Sequence, residues 1–147
     1  MDKASIEAYL HQHIPLSAAM HAQVELLAAE QVILSAPLAP NINHRDTVFG
    51  GSASTLAILA AWTLVHTRLQ RAGIPARVVI QRHSMSYDKP IIGTFYACCV
   101  LSDLSAWQRF ETILQRKGRA RIGMQVRLES RAEPVGQFSG DFVAINV

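Results

Sequence analysis

The chain holds two cysteines in 147 residues, Cys98 and Cys99, and they are adjacent. Neighbours on a strand point to opposite faces, so this pair cannot close an ordinary disulfide. No CxxC or Cys/His ligand spacing exists, which argues against a structural zinc site. The expectation is two buried free thiols in a reducing compartment, and no metal or redox cofactor. Charge is also sparse, at 17% of residues, with Lys+Arg 14 against Asp+Glu 11. The one dense basic run, Arg116, Lys117, Arg119 and Arg121, has no aromatics interleaved with it, so nucleic acid is not an expected partner. No apolar stretch reaches the ~20 residues of a bilayer span. The opening MDKASIEAYLHQHIPL lacks the apolar core of a signal peptide. Together these absences predict a cytoplasmic protein with no membrane partner.

Half of the residues are apolar, enough for a globular fold, and the length suits one domain over 1–147 with a helical segment at 1–20. The chain is organised around residues 41–73. They read NINHRDTVFGG, a polar turn closing on two glycines, and then SASTLAILAAWTLVHTRLQRAG. Between Ala53 and Val65 only Ser54, Thr55 and Thr63 are polar. A helix that is apolar all round must be buried on every side. Ser52 is placed to cap its start, His66, Arg68 and Arg71 complement its C-terminal dipole, and Gly73 and Pro75 stop it.

Around this helix the periodicity is mostly that of strands. Val32–Leu34 reads as a buried strand before Pro37 and Pro40. From Ala76 the period becomes two: ARVVIQRHSMSY, a DKPIIG turn, then GTFYACCVLS. Asp103 or Ser105 can cap an amphipathic helix carrying Trp107, Phe110, Ile113 and Leu114 on one face and ending at Gly118. RARIGMQVRLES alternates cleanly, and after a turn at Glu133-Pro134 a last strand follows. Five strands joined by short connections predict an antiparallel sheet whose dry face is covered by the apolar helix, an α+β architecture.

Pro37-Leu38, a turn with Asn41 and Asn43, and Thr47-x-Phe49-Gly50-Gly51-Ser52 opening a buried helix resemble the hotdog-fold thioesterases. Tyr87-x-x-Pro90 is similar to a turn of the same superfamily. Leu59-Ala60-Ala61-Trp62 is shared with the thioesterase domain fused behind GNAT acetyltransferases, the YiiD C-terminal type. The resemblance runs from about Leu16 to the end. It implies a sheet wrapped around a central helix, a homodimer or dimer of dimers, and sites at the subunit interface for an acyl-coenzyme A or acyl-carrier-protein thioester.

Thioester hydrolysis needs an aimed water and donors for the oxyanion. Free N–H groups at a helix start point outward at the positive end of the dipole, and glycines there let a ligand approach. Gly51 and Ser52 are therefore the candidate donors, with Gly50 and Phe49 beside them. The helix has no carboxylate in its first turns, where many hotdog thioesterases carry one; Ser54 and Thr55 stand there instead. Asp46 is the nearest carboxylate, and Asn43 the residue placed to orient a water or the acyl carbonyl. The candidate catalytic set is Asn43, Asp46, Gly51, Ser52 and Thr55. Asn41, Phe49, Gly50, Ser54, His83 and Tyr87 are candidate substrate contacts, and Lys117 and Arg119 candidate partners for coenzyme A or pantetheine phosphates. The alternatives are a non-catalytic acyl-binding module and a dehydratase; the second wants an acid on the helix.

Overall fold

Alternating strands need a cover for their dry face, and an all-apolar helix needs walls; the chain meets both needs at once. The computed structural model describes residues 1–147. Helices α1 (Lys3–His13) and α2 (Pro15–Ala19) precede strands β1 (Gln23–Leu27) and β2 (Gln31–Ala36). A single 3₁₀ turn, Ala39–Asn41, leads to α3 (Gly50–Arg71). Then come β3 (Ala76–Tyr87), β4 (Phe95–Val100), α4 (Leu104–Lys117), β5 (Arg119–Ser130) and β6 (Glu133–Asn146). The six strands form one antiparallel sheet in the order β1-β2-β4-β5-β6-β3.

The core lies between that sheet and α3. Ala120, Ile122, Met124, Val126 and Leu128 of β5 are all buried, as the alternation requires, and Phe95, Phe138 and Phe142 are fully enclosed beside them. Ala53, Ala57, Ala60 and Ala61 let α3 approach the sheet, and no residue from Gly50 to Leu69 is exposed. Each large side chain buried here contributes roughly 1.5–3 kcal/mol. Cys98 and Cys99 are free and buried, and only Cys99 joins the core.

Several local expectations are corrected. The sheet has a sixth strand, β1, whose alternation is broken by an irregular register between Val24 and Leu26. Strands β3 and β4 are not neighbours; Asp88–Thr94 crosses between them, anchored where Val48 N–H donates to Ile91 O at 2.8 Å. The β5–β6 turn is Arg131-Ala132, at φ 53° and 62°, not Glu133-Pro134, which opens β6. That pair adopts the left-handed conformation of a two-residue hairpin without the usual Asn-Gly. In α4, Asp103 alone accepts the capping N–H, from Ala106 at 3.0 Å, and Ile113 points outward.

The two sheet edges differ. Along β1, Glu7 Oε1 accepts the Val24 N–H at 2.8 Å, His11 Nε2 donates to Ala22 O at 2.8 Å, and Lys3 Nζ donates to Glu25 O at 3.4 Å. Helix α1 thus occupies the outer edge of β1. Strand β3, twelve residues long, pairs only with β6 and leaves its other edge uncovered.

Candidate active site

The helix start differs in detail from the expectation. Phe49 is the N-cap, without a side-chain bond, and Ser52 is the third helical residue. The N–H groups of Ser52 and Ala53 both donate to Phe49 O, at 2.9 and 3.2 Å, so those two are occupied. The N–H groups of Gly50 and Gly51 precede the first helical acceptor and stay available. Ser54 Oγ and Thr55 Oγ1 donate back to Gly51 O at 3.1 and 2.7 Å, which leaves Ser52 Oγ as the hydroxyl in this turn not committed to the backbone. No carboxylate lies in the first turn to neutralise the positive end of a 22-residue helix.

The approach to this helix start is built by the turn before it. Asn43 Oδ1 accepts from Arg45 N–H at 2.8 Å and Thr47 N–H at 3.1 Å, while Nδ2 donates to Thr47 Oγ1 at 2.8 Å. All its polar atoms serve the turn. Asp46 sits at the turn's tip with φ 64°, exposed, with His44 and Arg45 beside it equally exposed. Asn41 is only 2% exposed; its Nδ2 donates to Met20 O at 2.9 Å and Pro37 O at 2.8 Å, and its Oδ1 has no partner. Because both neighbours are carbonyls, the amide orientation is fixed by the bonds themselves.

Two cavities flank the helix start. The first, about 320 Å³, is lined by Leu16, Ala19 and Met20 on one side and by Asn41, Phe49, Gly51, Ser52 and Thr55 on the other. None of its lining residues is ionisable. The second, about 350 Å³, lies on the Gly50 side and includes Thr47, Tyr87, Asp88 and Lys89. Tyr87 Oη donates to Gly50 O at 3.1 Å, and Lys89 Nζ pairs with Glu133 Oε2 at 3.2 Å. His83 and Tyr87 share the helix-facing side of β3, and His83 stacks at 5.4 Å on the buried Phe138.

The structure therefore brings Asn41, Phe49, Gly50, Gly51, Ser52, Thr55 and Tyr87 together at one helix end. It does not bring Lys117 and Arg119 there. Arg119 pairs with Ile145, and Ile145 with Arg77, at the far end of the strand from Tyr87. Ten residues of strand separate these ends, roughly 30 Å. Arg119 and Arg121 line their own hollow of about 310 Å³ with Gln81. Sequence reasoning missed Leu16, Ala19 and Met20 as cavity residues. Their only signal was that an apolar Leu16 follows a helix-breaking Pro15.

A six-stranded antiparallel sheet wrapped around one long helix, with donors free at that helix's start, defines a hotdog-fold protein of the thioesterase type. Residues 3–146 match the family described as "Putative thioesterase (yiiD_Cterm)", and the chain belongs to that family. A Chlorobaculum tepidum protein of unknown function is 28% identical, with a TM-score of 0.94 over 99% of this chain and 94% of that one. A Shewanella oneidensis structure described as "the putative thioesterase" is 26% identical, with a TM-score of 0.88 over 97% and 96%. A Pseudomonas aeruginosa protein described as a probable thioesterase shares the fold at 20% identity and a TM-score of 0.83, over 98% and 96%.

Proposed function

We propose that this chain hydrolyses an acyl thioester of coenzyme A or of a carrier protein, with the thioester carbonyl held at the start of α3. The observation that carries the reading is the available Gly51 N–H opening onto a neutral cavity of about 320 Å³. Gly51 N–H and Ser52 Oγ supply the oxyanion donors; one such preorganised donor is worth about 3 kcal/mol in the transition state. The neutral cavity takes the acyl side, and the cavity by Tyr87, Asp88 and Lys89 takes the thiol side. Asn43 holds the shape of the approach, and Asp46 is the carboxylate nearest in sequence for proton transfer. Thiol release from a panel of acyl-coenzyme A thioesters tests this. Saturable binding without thiol release overturns hydrolysis and favours an acyl-binding module, a reading that the absence of an ionisable group in the neutral cavity supports.

The working unit in this reading is a homodimer, or a dimer of dimers, paired through β3. Helix α1 blocks the other edge, and a two-fold self-pairing of an edge strand is necessarily antiparallel. Antiparallel pairing sets the Arg77 end of one copy beside the Tyr87 end of the other. Lys117 and Arg119 would then serve the phosphates of a thioester bound to the opposite copy. A monomeric mass by light scattering at assay concentration removes this arrangement.

A further inference from the structure

We infer that the hollow beneath α2 is the acyl-chain pocket, that it accepts straight chains of up to about eight carbons, and that Ala19 and Leu16 set that limit. This rests on the thioester reading above. The chemistry of the walls points to an alkyl chain. Leu16, Ala19 and Met20 come from the N-terminal segment, Phe49 closes the opposite side, and the cavity contains no charge to meet a phosphate or carboxylate. Leu16 and Phe49 are each 58% exposed, so the mouth has apolar side chains on both rims. Only the Gly51 end supplies hydrogen-bond donors, which orients the carbonyl to that end and the tail toward α2.

The size follows from the volume. About 320 Å³ at roughly 30 Å³ per heavy atom, the share of a water molecule in the liquid, holds about ten heavy atoms. That is an eight-carbon acyl group with its carbonyl oxygen and the thioester sulfur. Helix α2 is fixed over the space from its C-terminal end: Asn41 Nδ2 donates to Met20 O, the carbonyl of the residue that ends α2, and also to Pro37 O ahead of α3. Asn41 is thus a positioning residue that ties the pocket's roof to the chain entering the catalytic turn. Its Oδ1 is buried and has no hydrogen-bond partner.

The test compares the wild-type chain with Ala19→Phe and Leu16→Ala, both at exposed positions of α2 where folding tolerates change. Two readouts are taken across straight-chain acyl-coenzyme A thioesters from two to sixteen carbons. One is free-thiol release; the other is calorimetric affinity for the matching non-hydrolysable thioethers. Each methylene admitted strengthens binding about fourfold, until the pocket is full near eight carbons. Ala19→Phe moves that limit down by about four carbons, and Leu16→Ala moves it up. An unchanged affinity profile in both variants overturns the pocket. Shifted affinities with no thiol release from any protein keep the pocket and overturn hydrolysis, so the two readings fail separately. No affinity for any member overturns both.

Discussion

Replacing Gly51 by Ala separates a catalytic glycine from an architectural one. A Cβ built at position 51 falls 2.4 Å from Phe49 Cε2 and 3.0 Å from Cδ2, closer than any real side chain sits. The obstruction is a ring, not backbone, and Phe49 is 58% exposed, so it can rotate outward. Displacing it costs about 1 kcal/mol, the scale of an off-rotamer side chain. Against this, Ala stabilises a helix over Gly by up to about 1 kcal/mol. The net change in folding free energy is therefore within about 1 kcal/mol, or about 4 °C in Tm for a domain of this size. Function should respond very differently. The new methyl stands beside the Gly51 N–H, and the displaced ring remodels the cavity wall that Phe49 forms. Ala retains the backbone N–H, so the effect comes from the methyl and the displaced ring holding the carbonyl away from it. An oxyanion denied that donor lowers kcat by about 10²-fold or more.

The assay pairs urea denaturation with thiol release from one acyl-coenzyme A substrate. Gly123→Ala is the control, since position 123 lies on β5 away from the helix start and a Cβ there meets Asp141 Oδ1 at 3.5 Å, an ordinary contact. Full activity in Gly51→Ala, or a loss of stability above about 2 kcal/mol, would refute the reasoning and make the glycine pair a matter of helix–sheet packing.

His66 packs against Trp62, at 4.4 Å, and Tyr9 of α1, at 5.2 Å; those two rings also stack on each other at 6.1 Å, and His13 packs on Tyr9 at 4.3 Å. Burial lowers its pKa from 6.5, and Nε2 has no partner. A depressed imidazole pKa means the unfolded chain binds the extra proton more readily, so this contribution is full above pH 6.5 and is lost as pH falls toward the folded value. The urea midpoint should drop on that acid side, and His66→Phe, which keeps the stack, should flatten the drop. The thiols of Cys98 and Cys99 are pushed up to about 11 and about 12, chiefly by burial. At pH 8 the folded protein should leave a chromogenic thiol reagent unreacted for hours, and both thiols should react on unfolding. Asn43→Ala removes the acceptor of two backbone N–H bonds in the turn and should cost about 2 kcal/mol by urea titration. Asp46→Gly relieves a positive φ at an exposed position and should stabilise by about 1 kcal/mol. If Asp46 is the proton acceptor, that same variant loses hydrolysis by about 10²-fold.

The parts of the fold that were legible are those with local causes. An apolar helix announces its burial because no face could meet water, and β5 announces its orientation because all five alternate residues are apolar. Gly118, Gly73 and Asp103 mark their boundaries through backbone conformation and a short-range hydrogen bond. What could not be read depends on partners distant in sequence. Strand β1 is held by Glu7 and His11 through bonds that span seventeen and eleven residues, and its own five residues alternate poorly. Nothing in DKPIIG distinguishes a hairpin from a crossing; the crossing is held by Val48 and Ile91, 43 residues apart. In the site, Gly50, Gly51 and Tyr87 were legible through their motifs. The cavity facing them was not, because Leu16 and Ala19 reach it only when Asn41 draws Met20 back across the turn.

The placement of Arg119 turns that non-locality into a decisive experiment. In one chain it lies roughly 30 Å along the sheet from Tyr87, beyond what a substrate held at Gly51 needs. Across a β3–β3 pairing it would lie at the other copy's site. An Arg119→Ser chain then has an intact Gly51 but supplies no cation to its partner, while a Gly51→Ala chain supplies the cation but has no working site. Each variant alone is impaired. Unfolded together and refolded as an equal mixture, half of the dimers are mixed, and each mixed dimer contains one complete site, so about a quarter of wild-type activity returns. Were Arg119 to serve its own chain, the mixed dimers would contain no complete site, and activity would stay at the average of the two variants. Restoration at low salt that fades as ionic strength rises would further identify the recovered contact as charge on phosphate.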